Sequence, residues 1–77
     1  MKVIQVYSRA GCHLCEVLIE ELGPLVDGKI SVEVRDIDSK PEWHERWFAD
    51  IPVVEFEGNV ICMHFLDHDA ITGILRG

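Results

Sequence analysis

Cys12 and Cys15, in the run Cys12-His13-Leu14-Cys15, are the residues of this chain whose types and spacing most plainly do chemistry. Two thiols in a C-x-x-C can close a small disulfide ring or share a metal ion. They stand where a β-patterned run gives way to a helix-patterned one, which puts Cys12 at the mouth of a helix. Free backbone N–H groups and the positive end of the helix dipole stabilise a thiolate there. The pKa of Cys12 should therefore fall below the free value of about 8.5. A thiolate is the nucleophile of thiol–disulfide exchange. Cys12 is thus the expected attacking atom. Cys15, one turn into the helix and more buried, is the expected resolving thiol.

The neighbours of the pair offer tuning and recognition. His13 as a cation would favour the thiolate and make a disulfide more oxidising; as an exposed, neutral loop histidine it would do little. Arg9 is the nearby cation, and Tyr7 and Arg9 together could line a groove beside Cys12. A solvated surface arginine is the plainer alternative. Cys62 and His64 widen the choice. With Cys12 and Cys15 they make three thiolates and an imidazole, a set that zinc accepts. That set draws one pair from a helix and the other from a distant strand, and Cys62 is more simply a small core hydrophobe.

Definite elements must position these groups. Val3 to Tyr7 is a short, mostly apolar run suited to a central strand. Ser8 to Gly11 is a turn-prone loop. Leu14, Leu18, Leu22 and Leu25 recur at near-helical spacing, and Gly23-Pro24 marks a break or a new turn near the end of that helix. Ile30, Val32 and Val34 alternate with polar residues as in a half-buried strand. Ser39-Lys40-Pro41-Glu42 fits a capping box with proline in the first turn. It opens a short helix carrying Trp43 and Trp47. Two strand-like runs, 53–56 and 60–64, flank Glu57-Gly58-Asn59 and predict a β-hairpin. Asp67 is a plausible N-cap for a last helix with Ala70, Ile71, Ile74 and Leu75 on one face. The order β-α-β-α-β-β-α implies an α/β fold. Its right-handed β-α-β crossover and closing hairpin build a four-stranded mixed sheet with flanking helices.

Composition narrows the function classes. At 77 residues the chain reads as a single domain, 1–77. A net charge of −7 argues against nucleic acid and against anionic membranes. No apolar stretch approaches the roughly 20 residues of a membrane span, and residues 1–7 lack signal-peptide character. Three cysteines, an odd number, fit a structural disulfide framework poorly. The chain reads as cytoplasmic and monomeric, with a reactive C-x-x-C.

Strand, C-x-x-C, helix, then Ile51-Pro52 entering a hairpin and a final short helix: this succession resembles the thioredoxin fold and, within it, the small glutaredoxin-like thiol–disulfide oxidoreductases. The likeness runs from Lys2 to Leu75. It implies a thioredoxin-like fold with a cis peptide at Ile51-Pro52. It also implies that Ile51 and Pro52 form the wall opposite the cysteines, where the Ile51 backbone pairs with an extended peptide or glutathione. Arg9 could then meet a glutathione carboxylate, and Asp67 would be a helix cap first and a ligand contact second. Implied partners are a protein disulfide or a glutathione mixed disulfide, with glutathione or a flavin reductase as electron donor. No bound cofactor is implied; glutathione would be a co-substrate. The chain departs from the family in the two residues between the cysteines. It also carries His64-Phe65-Leu66-Asp67 where a Gly-Gly pair normally closes the glutathione site. A further alternative is a non-catalytic interaction module using an exposed Trp43, Trp47 and Phe48 face, although packing of these rings on the sheet is the default reading.

Overall fold

A computed structural model describes residues 2–77. The chain runs β1 (Val3–Ser8), α1 (His13–Val26), β2 (Ser31–Asp36), a 3-10 turn (Ile37–Ser39), α2 (Pro41–Trp47), β3 (Val53–Phe56), β4 (Asn59–Met63) and α3 (His68–Arg76). The sheet order is β2-β1-β3-β4, with β1 parallel to β2 and antiparallel to β3, and β3 antiparallel to β4. This is the mixed sheet expected from the order of elements, and β1 is interior as its apolar run requires.

Side-chain alternation along β1 divides the core. Ile4 and Val6 pack with Leu18, Leu22 and Val26 of α1, Val54 and Phe56 of β3, and Ile71 of α3. Tyr7, one residue out of phase with Val6, points to the other face and joins Ile37, Trp47 and Val53 under α2. Helices α1 and α3 thus cover one face, and α2 covers part of the other.

Local sequence explains most boundaries. Helix α1 opens at Cys12, whose extended backbone and side chain form the N-cap. The helix runs through Gly23 and Pro24 to Val26, so the expected break there does not occur; the apolar face carrying Leu22 and Val26 holds the last turn on the sheet. The β3–β4 turn has Glu57 and Gly58 both at positive φ, the conformation of a two-residue I′ hairpin. Between Val54 and Glu55 the pairing shifts by one residue on β4, so that Ile61 and Cys62 both pack against the α1 face.

Two local expectations fail. The capping box at Ser39 is not formed: Lys40 is the N-cap of α2 and supplies no side-chain cap, while the Ser39 hydroxyl donates to the Asp36 carbonyl within the 3-10 turn. Pro41 does occupy the first turn. Val34 is exposed rather than inward, because β2 is an edge strand and its end extends beyond the cover of α1.

Candidate redox site

The parallel pairing of β1 with β2 and the antiparallel pairings of β3 with β1 and β4 bring four strand ends together. Ser8 pairs with Asp36, Tyr7 pairs with Val53, and Val53 pairs with Met63. The loop after Ser8 returns the chain to α1, so Cys12 lies at this end of the sheet. Ile51-Pro52 enters β3 at the same end, and its peptide bond is cis, as the family likeness implied.

The two cysteines are held in different environments by one helical turn. Cys12 is half-buried at the N-cap. Its Sγ accepts a hydrogen bond from the backbone N–H of Cys15 at 3.2 Å. That N–H is one of the donors a helix start leaves unpaired, and aimed at a sulfur it supplies what an anion there needs. Cys15 is only 1% exposed. Burial pushes its thiol up from 9.0 to about 11, helped by its hydrogen bond to Cys12; the Ser8 side chain and the Arg9 backbone pull the other way. The outer sulfur is reachable and the inner one is kept protonated. Neither is in a disulfide.

The other expected site residues sort by geometry. Pro52 is fully buried, Ile51 is half-buried against the α2-side cluster, and the Pro52 carbonyl accepts from the His64 backbone N–H at 2.8 Å. That bond ties the proline turn to the β4–α3 turn. His13 is a surface residue with 85% of its side chain exposed, and its Nδ1 stands 3.8 Å from Glu16 Oε2. Asp67 is the N-cap of α3, accepting from Ala70 N at 3.0 Å. Its charge also helps to raise the Cys62 thiol, which burial raises first.

Two expected roles do not match the structure. Tyr7 does not line a groove beside Cys12; it is buried on the α2 face. There its ring lies 5.6 Å from Trp43 and 5.4 Å from Trp47. Its hydroxyl donates to Glu55 at 3.2 Å and accepts from Arg35 at 2.8 Å. The reason is strand alternation, which was legible once Ile4 and Val6 were assigned to the α1 face. The Arg9 guanidinium is committed to Asp38 at 2.8 Å, leaving its backbone, not its charge, as the contact with Cys15. The alternatives fare no better. Among the described residues no cluster of three or more His, Cys, Asp and Glu side chains could hold a metal ion. The backbone of His64 turns to positive φ just past β4, ending the alternation that would have aligned it with Cys62. Trp47 is buried and Trp43 packs beside it, so these two rings serve the core, whereas Phe48 is exposed and stacks on His44. Phe65, in the turn joined to Pro52 through the His64 backbone, is 70% exposed.

Residues 3–76 match the family described as Glutaredoxin-like domain (DUF836). The chain belongs to that family. Among solved structures, the glutaredoxin-like chain is similar to protein Ne2328 from Nitrosomonas europaea, determined by solution NMR. The two share 33% sequence identity and a TM-score of 0.83, over 95% of this chain and 89% of the other. The thioredoxin-like architecture of this glutaredoxin-like domain is therefore established. Among its described residues no helix is long and apolar enough to cross a membrane.

Proposed function

We propose that the protein is a thiol–disulfide oxidoreductase working through Cys12 and Cys15. The observation that carries this reading is the division of labour between the sulfurs: Cys12 Sγ takes the Cys15 N–H at a helix start while Cys15 is buried with its thiol raised to about 11. The Cys12 thiolate attacks one sulfur of a substrate disulfide, and the other sulfur leaves as a thiolate that takes a proton from solvent. Cys15 then gives up its proton and attacks Cys12 Sγ. The Cys12–Cys15 disulfide forms and the second substrate thiol is released. Two electrons pass from the dithiol to the substrate, and an external thiol or a flavin-dependent reductase restores the pair. Ile51 and Pro52 form the facing wall in this reading, and the site works in a reducing, cytoplasmic compartment.

The reading is tested by thiol trapping and intact mass across glutathione buffers of graded potential. Cooperative conversion of Cys12 and Cys15 to a disulfide between about −270 and −180 mV, the span of related dithiol proteins, is expected. A pair that stays reduced throughout, or is reducible only below about −300 mV, would overturn it.

A further inference from the structure

Charge is distributed unevenly along the sheet axis. Lys2, Lys29 and Arg76 belong to the end remote from the cysteines, where Lys2 pairs with Glu57 at 3.6 Å: Lys2 precedes β1, Lys29 precedes β2, and Arg76 ends α3. At the cysteine end the carboxylates gather. Glu16 lies one turn after Cys12 on the same helix face and receives its position from the Glu16 N–H to Cys12 carbonyl bond of 3.1 Å. Asp36 and Asp38 follow the end of β2, and Asp67 and Asp69 open α3. The remaining cations are engaged. Arg9 holds Asp38 at 2.8 Å, Arg35 binds Glu33 and the Tyr7 hydroxyl, and Lys40 and Arg46 lie over the rings of Trp43 and Trp47 at 4.7 and 4.4 Å.

Apolar surface is exposed at this same end. Leu14, between the cysteines, is 41% exposed and Phe65 is 70% exposed. The Phe65 backbone is fixed by its bond to the Met63 carbonyl at 2.7 Å, and His64 beside it is bonded to Pro52. Phe65 is therefore presented from an anchored turn on the proline side of the site, and Leu14 from the helix side.

We infer that the disulfide served by Cys12 is borne on a protein segment that is basic and has an apolar residue beside its cysteine, in preference to glutathione. This rests on the oxidoreductase reading and names its substrate class. Glutathione carries two carboxylates and one ammonium, so it brings net negative charge to a rim whose Asp67 and Asp69 already occupy the α3 N-terminus and whose Arg9 is neutralised. A lysine or arginine beside the substrate cysteine meets Glu16 and Asp69 instead, and an aliphatic neighbour covers Leu14 and Phe65. Complementary rim charge acts mainly on the encounter rate and is weakened by salt.

The test uses the reduced full chain and follows its oxidation by four disulfides: the symmetrical disulfides of the blocked tripeptides Leu-Cys-Lys and Leu-Cys-Glu, glutathione disulfide, and neutral 2-hydroxyethyl disulfide. The Leu-Cys-Lys probe is expected to react about 10-fold faster than the Leu-Cys-Glu probe and glutathione disulfide at low salt, with the ratio shrinking to about 2-fold in strong salt. Joint Glu16→Gln and Asp69→Asn substitution should narrow the ratio at least roughly 3-fold, and Phe65→Ser should slow the Leu-Cys-Lys probe relative to 2-hydroxyethyl disulfide. Equal rates for the basic and acidic probes, a ratio that salt or the double substitution leaves alone, or fastest reaction with glutathione disulfide would overturn the inference while the oxidoreductase reading stands. Failure of the chain to reduce any of the four, the neutral one included, would remove both.

Discussion

The backbone N–H of Cys15 donates to the Sγ of Cys12 at 3.2 Å, while the Cys15 sulfur is itself buried. A single turn of helix therefore makes the two thiols unequal without any charged side chain between them. His13 faces solvent and Arg9 is paired with Asp38. The asymmetry is a property of the helix start and of burial, and it has direct chemical consequences.

Alkylation should distinguish the sulfurs. With its thiol at about 11 rather than 9.0, Cys15 has roughly 100-fold less thiolate at neutral pH than an ordinary thiol. Burial slows it further. Brief iodoacetamide treatment of the reduced protein at about pH 7.5, followed by peptide mapping, is expected to label Cys12 and spare Cys15. Equal labelling of the two would contradict the assigned roles.

The same raised value sets a pH dependence of stability. Below pH 9 the Cys15 thiol is protonated in both the folded and unfolded chain, and its contribution is complete. Between 9.0 and about 11 the unfolded chain ionises while the native state does not, so stability falls as pH rises through that window. The loss attributable to Cys15 is roughly 3 kcal/mol. Urea melts of the reduced protein and of Cys15→Ser, compared across that range, should show the extra slope only where Cys15 is present.

The parts of this design that were legible in the sequence are those written in local pattern. The C-x-x-C at a β-to-α change of period placed Cys12 at a helix start, the two strand-like runs after Ile51-Pro52 placed the hairpin, and Asp67 read correctly as a cap. Less legible were features decided by the third dimension. Tyr7 was drawn toward Cys12 by sequence proximity, but strand alternation sends it through the sheet to Trp43 and Trp47. Arg9 looked like a free cation until β2 brought Asp38 beside it. Ser39 had the right spacing for a capping box, yet the 3-10 turn engages its hydroxyl with Asp36 first. Val34 carried the right period for a buried strand position, and only the edge location of β2 exposes it.

Relocating Tyr7 makes a prediction of its own. Its hydroxyl links Arg35 to Glu55, so Tyr7→Phe should cost about 1 kcal/mol of stability. Because that hydroxyl lies on the α2 face, the rate of Cys12 alkylation should not change. A marked change in thiol reactivity would return Tyr7 to the neighbourhood of the site.

Asp67 has two separable effects. Asp67→Ala removes the cap on Ala70 and should destabilise the protein by about 1 kcal/mol, lowering the melting temperature by roughly 4–8 °C. Asp67→Asn keeps a competent cap and should preserve stability. It removes the charge that helps raise the Cys62 thiol, so Cys62 should titrate lower, as followed by thiolate absorbance in a background lacking the other two cysteines.

The central claim is that Cys12 attacks and Cys15 resolves. Its most direct test is intact-mass analysis of Cys15→Ser after exposure to 2-hydroxyethyl disulfide, with peptide mapping of the product. The account predicts a persistent mixed disulfide on Cys12 in the variant, whereas the unsubstituted chain passes through that adduct to an internal Cys12–Cys15 disulfide. No adduct on Cys12, or an adduct that persists equally in the unsubstituted chain, would contradict it.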